Sequence, residues 1–392
     1  QRLRDAFQAL AAGSRRPSGG KAKGTRIPFQ AYRAAVEREL FGIVITGHPT
    51  FSQSHEMVRL LAELGVGRTT NGEKLSAVRR RKIRSDIKAV EHRPPEKLDL
   101  NYEYEMSVAA IGNIHVALRR AYEIALDVAA EFYPQEWEQL SPRLVTVASW
   151  VGYDLDGRSD IKWSDTLFTR LKIQVLQLQR YVEEVAELRV GIDQKRANVD
   201  LVHLLELLES RLALAIKEAE DEIEVFQGGK KEGEAPLAWA EEVRRIAKRM
   251  HDGRDLRLVD SVQLLELIDR ALGLSKTPAQ RRKLIILRAE LANHGLGLAH
   301  THVRLNAVQI HNAVRKLIDM EAAPDDPAHK RSYIAKIGKL LQGVKPVQIN
   351  FASILAERTS AKRLFMIVAK MLKYIDATVP VPAPGLPAFW GR

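Results

Sequence analysis

The sequence contains no cysteine, which excludes a disulfide scaffold, a thiolate zinc centre and a cysteine nucleophile. It also lacks any apolar run approaching the roughly 18 residues that a membrane-spanning helix needs. Its opening, QRLRDAFQALAAGSRRPSGG, has no apolar centre of the kind found in a secretory leader, so a cytoplasmic address is the expectation. No segment repeats at a fixed period, and no recognised nucleic-acid-binding motif is present, so neither a membrane nor a nucleic acid is an expected partner. What is present is a chain of 392 residues, 45% hydrophobic and 28% charged. That is long enough for a sizeable core, in two to three domains or one large one. Lys plus Arg number 61 against 49 Asp plus Glu, a formal charge of +12. Such a balance by itself suits an anionic substrate, a nucleic acid or an acidic partner surface.

Most of the chain reads as helix. Apolar residues recur three and four apart over 105–131, 164–190, 198–226, 236–250, 258–272, 278–294 and 306–321, as amphipathic helices require. Ser164, Asp260 and Asn306 are the expected N-caps, and Thr277-Pro278 reads as a cap followed by the first helical residue. Turn-type composition marks breaks at 13–24, 92–95, 228–236 and 322–329. Three short segments read instead as buried parallel strands: 41–46 (FGIVIT), 143–151 (RLVTVASWV) and 295–305 (GLGLAHTHVRL). A fourth, 346–349, either forms a strand or leads into a helix capped by Asn350. The predicted class is mainly α with a few parallel strands, in the form of a partial (β/α) barrel.

In barrels of that kind chemistry sits at the C-terminal ends of the strands. The first strand is followed by Gly47-His48-Pro49-Thr50, and the second by Gly152-Tyr153-Asp154-Leu155-Asp156-Gly157. The third contains Thr301-His302-Val303-Arg304. His48 can donate to a phosphate or shuttle a proton, or be satisfied by a carbonyl. Asp154 and Asp156 either make an Asp/Gly turn or form a rigid polar loop over a substrate. The start of a calcium loop is not favoured, because Arg158 follows and the downstream Glu is missing. Trp150 either walls an apolar pocket or fills the core. Arg304 lies in an apolar strand and needs an anionic partner, which is either an internal carboxylate or a bound phosphate or carboxylate. The basic run Arg79-Arg80-Arg81-Lys82-Ile83-Arg84 has the charge to bind nucleic acid, but Asp86 and Glu91 lie nearby and no aromatic residue interleaves it, so a solvated helix face or one facing an acidic subunit is favoured. The spacing of His300, His302 and His311 does not put three ligands on one face, so no metal is expected there.

These segments resemble the phosphoenolpyruvate carboxylase family. Thr46-Gly47-His48-Pro49-Thr50 is similar to its T-A-H-P-T signature, and Ser149 to Gly157 to its S-W-x-G-G-D-x-D-G-N-P signature. Gly295 to Arg304 resembles the strand that ends in its D-I-R motif, and 92–105 resembles a Pro-rich, Glu-containing segment between the first two. The resemblance covers most of residues 40–320. It implies addition of bicarbonate to phosphoenolpyruvate, giving oxaloacetate and phosphate by way of carboxyphosphate and the enolate of pyruvate, with Mg²⁺ or Mn²⁺. It further implies that His48 serves the phosphate and carboxylation site, that Arg304 holds the phosphate and that Trp150 lines the pocket for the reacting carbons. Asp154 and Asp156 belong to the substrate loop in the same reading. A homotetramer is implied for the full-length enzyme.

The sequence departs from the family pattern at Phe51, where Glu is usual, and at Tyr153, Leu155, Arg158-Ser159 and His302, the last standing where Asp is more common. Members of the family are much longer chains, whose later half carries two acidic metal ligands and a G-R-G-G loop absent from this sequence. The resulting expectation is a single, incomplete catalytic domain over 1–392 with an irregular tail at 378–392, inactive alone and exposing apolar strand edges. The alternative is a helical scaffold or regulatory protein that kept the fold and lost the chemistry.

Overall fold

The computed structural model describes residues 1–13, 26–47, 53–91, 98–155, 161, 163–192, 198–228, 237–321, 326–345 and 349–375. The irregular tail expected at 378–392 lies outside them. Helices α1 (Arg2–Ala11) and α2 (Phe29–Val36) precede strand β1 (Glu39–Ile45). Helices α3 (His55–Val66), α4 (Ala77–Ala89) and α5 (Leu100–Phe132) lead to β2 (Leu144–Ser149). Then come α6 (Trp163–Val190), α7 (Val199–Gly228), α8 (Leu237–Asp252), α9 (Val262–Leu274) and α10 (Pro278–His294) before β3 (His300–Thr301). The described residues close with α11 (Ala307–Leu317), α12 (Lys330–Gly343), α13 (Phe351–Ala356) and α14 (Ser360–Ile375). The protein is therefore mainly helical with a small parallel sheet. Among the described residues no helix is long and apolar enough to cross a membrane.

The sheet runs β1-β2-β3, all parallel, with Ile45 opposite Ser149 and Ser149 opposite Thr301. β2 is central and every one of its six residues is buried, which is why it carries no charged residue and reads as a short stretch of small, apolar and β-branched side chains. β1 is an edge strand on which Leu40 and Phe41 are 59% and 57% exposed. Helices supply the rest of the core. α5 buries Ser107, Ile111, His115, Leu118, Tyr122, Ala125 and Ala129, a stripe at three- and four-residue spacing. α6 and α7 form a long hairpin in which Leu178, Tyr181, Val185 and Leu188 face Leu201, Leu205, Leu208 and Leu212 in one cluster.

Local chemistry set several helix starts as expected. The Thr277 hydroxyl accepts from Gln280 N–H with Pro278 in the first turn, and Asn306 Oδ1 accepts from Gln309 N–H at 3.0 Å. Asn350 opens α13 with a reciprocal capping box to Ser353, so Ile349 leads into a helix; 346–348 lie outside the described residues. Two caps are corrected. Ser164 is buried inside the first turn of α6, because Trp163 is already helical. Asp260 stands one position early: Ser261 is the N-cap of α9, although Asp260 Oδ1 still accepts from Val262 N–H at 2.9 Å.

The third strand is also corrected. Only His300 and Thr301 pair, not the whole of 295–305. Gly295 ends α10 at φ +57°, a conformation that favours glycine. The buried residues Leu296, Leu298 and Ala299 are then used in turning the chain back toward the sheet. Pairing resumes as a single parallel bridge between Asp154 and Arg304.

Candidate functional site at the strand ends

The C-terminal end of β2 makes a tight turn. Tyr153 N–H donates to the Trp150 carbonyl at 2.8 Å, and Gly152 adopts φ +83°. A Cβ at Gly152 would stand 2.6 Å from Thr169 Oγ1 on α6, so both backbone conformation and space demand glycine. The turn returns the chain to the sheet, where Arg304 N–H donates to Tyr153 O and Leu155 N–H to Arg304 O, each at 3.0 Å. On the other flank Trp150 N–H donates to Ile45 O and His302 N–H to Ser149 O, both at 3.0 Å. Four backbone bonds thus fix Trp150, Asp154, His302 and Arg304 relative to one another.

Their side chains converge. Arg304 Nη1 donates to Asp154 Oδ2 at 3.0 Å, and its guanidinium lies 4.5 Å from the centroid of the Trp150 ring, within cation–π range. The Trp150 indole Nε1–H donates to His302 Nδ1 at 3.0 Å. Burial lowers the His302 pKa from the usual imidazole value, so its ring is neutral at neutral pH. Beneath the turn Tyr153 is fully buried, and burial pushes its phenol up to about 12, with Arg170 acting in the opposite sense. The Arg170 guanidinium is in turn pulled down by burial, and its Nη1 has no hydrogen-bond partner among the described residues. At the end of β1, the Glu103 carboxylate packs so closely that a Cβ on Gly47 would meet Glu103 Oε2 at 2.7 Å. Leu364 of α14 is fully buried in a cluster with Leu155 and Ile161, against which Leu305 packs, and so supplies apolar cover beside these strand ends.

Of the residues singled out from sequence, the structure brings Trp150, Asp154 and Arg304 together; His48 and Asp156 lie outside the described residues. Arg304 carries the internal carboxylate that the sequence reading weighed as the alternative to a ligand, and the Trp150 ring face, which that reading did not anticipate. His302, which the sequence reading weighed as a metal ligand and as a departure from the family pattern but gave no place in the site, bonds Trp150 within the cluster. The signal was its spacing, two residues before Arg304 on an extended segment, which sends both side chains to one side. Glu103 and Arg170 carried no comparable local signal. His300, His302 and His311 do not share a site: His300 packs against His294 in the core, His302 bonds Trp150 and His311 is exposed on α11. Among the described residues no group of three or more His, Asp or Glu side chains is placed to hold a metal ion.

An open groove of about 520 Å³ lies elsewhere, between α7 and α9, lined by Asp200, His203 and Arg270 among others; it holds none of the residues singled out from sequence. The fold and site together define a mainly helical protein with an arginine–aromatic–carboxylate cluster at the C-terminal edge of a small parallel sheet. Comparison with protein-family models and with curated proteins found no match to either.

Proposed function

We propose that the strand-end cluster binds phosphoenolpyruvate, and that the chain supplies this part of a phosphoenolpyruvate carboxylase site of (β/α)-barrel type. One observation carries the reading. Arg304, Trp150 and Asp154, from segments 150 residues apart, meet at the C-terminal edge of a parallel sheet, where α/β proteins place their ligands. In this reading Arg304 offers its forked donors to the phosphate. Trp150 presents an apolar wall that keeps water from an enolate formed next to it. Asp154 holds the guanidinium in place until the ligand arrives. The overall charge of +12 favours the approach of two anionic substrates.

The described residues do not fit the Mg²⁺ or Mn²⁺ that such enzymes use, since no metal-capable group is present among them and Asp154 is engaged by Arg304. No step is therefore routed through a metal, and carboxylation requires ligands beyond the described residues. The test is calorimetric titration of the protein with phosphoenolpyruvate, alone and as Arg304→Ala. A charge-assisted hydrogen bond is worth about 1.5–3 kcal/mol, so the variant is expected to bind roughly ten- to a hundredfold more weakly. Binding unchanged by Arg304→Ala refutes the reading. Absence of any binding moves the scaffold or regulatory reading to the front. Oxaloacetate formation by the purified chain alone would overturn the statement that further ligands are needed.

A further inference from the structure

We propose that His302 is a positioning residue for Arg304: by accepting the Trp150 indole proton it fixes the plane against which the guanidinium lies. An indole nitrogen can only donate. With Trp150 Nε1 at 3.0 Å from His302 Nδ1, Nδ1 must carry the lone pair and the neutral ring must hold its proton on Nε2. The tautomer is thus set by the neighbour. The backbones of both partners are pinned, Trp150 through Ile45 O and His302 through Ser149 O, so the side-chain bond removes the remaining rotation of the indole about its own χ angles. Arg304 lies 4.5 Å from the centroid of that same indole, and Asp154 holds the guanidinium from another side at 3.0 Å. The Asp154 carboxylate constrains the guanidinium in the direction of their shared hydrogen bond. The indole plane supplies the second constraint, and His302 supplies the indole plane.

This inference deepens the binding proposal in one respect, since its ligand is phosphoenolpyruvate, but the latch itself can be observed without ligand. Nitrogen-15 spectra of the protein should show His302 protonated on Nε2 and an Arg304 Nε–H resonance shifted upfield by the Trp150 ring current. Two variants separate the possibilities. In His302→Asn the side-chain oxygen reaches close to the Nδ1 position and can still accept from the indole; in His302→Leu nothing can. Expected are a retained indole N–H shift, a retained Arg304 shift and phosphoenolpyruvate affinity within about twofold of the parent in His302→Asn. In His302→Leu both shifts should be lost and affinity should fall about fivefold, the scale of a cation–π contact worth about 1 kcal/mol.

Equal weakening in both variants would mean that the imidazole acts by itself rather than through Trp150, and would overturn the proposal. So would an Nδ1-protonated ring in the parent protein, a measurement that needs no variant to fold, or unaltered shifts in His302→Leu. If the parent protein does not bind phosphoenolpyruvate at all, the functional reading fails, while the tautomer and the Arg304 shift still decide the latch.

Discussion

Acidification should weaken this fold through histidines buried in the core. His115 on α5, His294 at the end of α10 and His300 on β3 are all buried. The His115 and His294 rings lie 4.6 Å apart, and His294 and His300 5.8 Å apart. His115 Nε2–H donates to Leu298 O at 2.6 Å. Burial lowers the His115 pKa from 6.5 to about 4, reinforced by the Arg180 charge, and lowers that of His294 well below its usual value. Arg143 also opposes a charge on His294, and Glu290 is the carboxylate buried nearby among Arg119 and Arg180. The unfolded imidazole takes its proton near 6.5, whereas the folded one resists until about 4. The stability tied to the neutral ring is therefore intact above 6.5 and is lost as the pH falls from there toward 4. For His115 alone the full difference is about 3 kcal/mol. About 2 kcal/mol of it is gone by about pH 5.

The assay is urea unfolding near pH 7.5 and near pH 5 for the parent protein and His115→Gln. The glutamine amide can still donate to Leu298 O but does not titrate. The variant should lose about 2 kcal/mol less on acidification than the parent. Equal losses in both proteins would refute the reasoning. If the variant does not fold, proton NMR titration of the parent's His115 decides the matter, because a midpoint near 6.5 contradicts the burial argument directly.

Three further outcomes follow from the packing. Gly152→Ala should lower stability by about 1–3 kcal/mol, through a positive φ and a collision with Thr169; thermal unfolding reads this, and an unchanged midpoint would mean that the turn relaxes freely. Arg257 pairs with Glu222, a buried carboxylate on α7 whose pKa burial raises. Arg257→Met should cost about 3–5 kcal/mol, and adding Glu222→Leu should recover much of it, since the damage is an unpaired buried charge; denaturant titration of the single and double variants tests this, and no recovery would count against it. Thr277→Ala should cost about 1 kcal/mol by removing the α10 cap, measured as a shift in denaturation midpoint.

The elements that sequence reading located well are those whose signal is local. The three- and four-residue spacing of α5, α6, α7 and α10 is a property of each segment alone, and so is the short-range bonding of Thr277, Asn306 and Asn350 to the backbone that follows. β2 was legible because a strand buried on both faces is largely apolar and β-branched; its two polar side chains, Thr146 and Ser149, are hydrogen-bonded to Glu39 and Ser107. The third strand was overread because Leu296, Leu298 and Ala299 are apolar for burial in a turn, not for pairing, and composition does not separate the two. Ser164 was misassigned for a related reason: serine caps a helix only where the helix begins, and α6 begins one residue earlier.

The sequence by itself determined that this is a mainly helical protein with a few parallel strands, and that Trp150, Asp154 and Arg304 belong to the C-terminal parts of two of those strands or the turn just after; the structure ended the strands at Ser149 and Thr301 and so left all three beyond them. Helix periodicity, capping and strand burial are written into neighbouring residues. Tertiary structure decided the rest. It placed His302 against Trp150, 152 positions away in the chain, packed Glu103 behind Gly47 and brought His115, His294 and His300 into one buried cluster. Each of these depends on how α5, α6 and α10 dock on the sheet. A hydrogen bond or a pKa shift belongs to the pair of surfaces that meet, and no stretch of chain carries it alone.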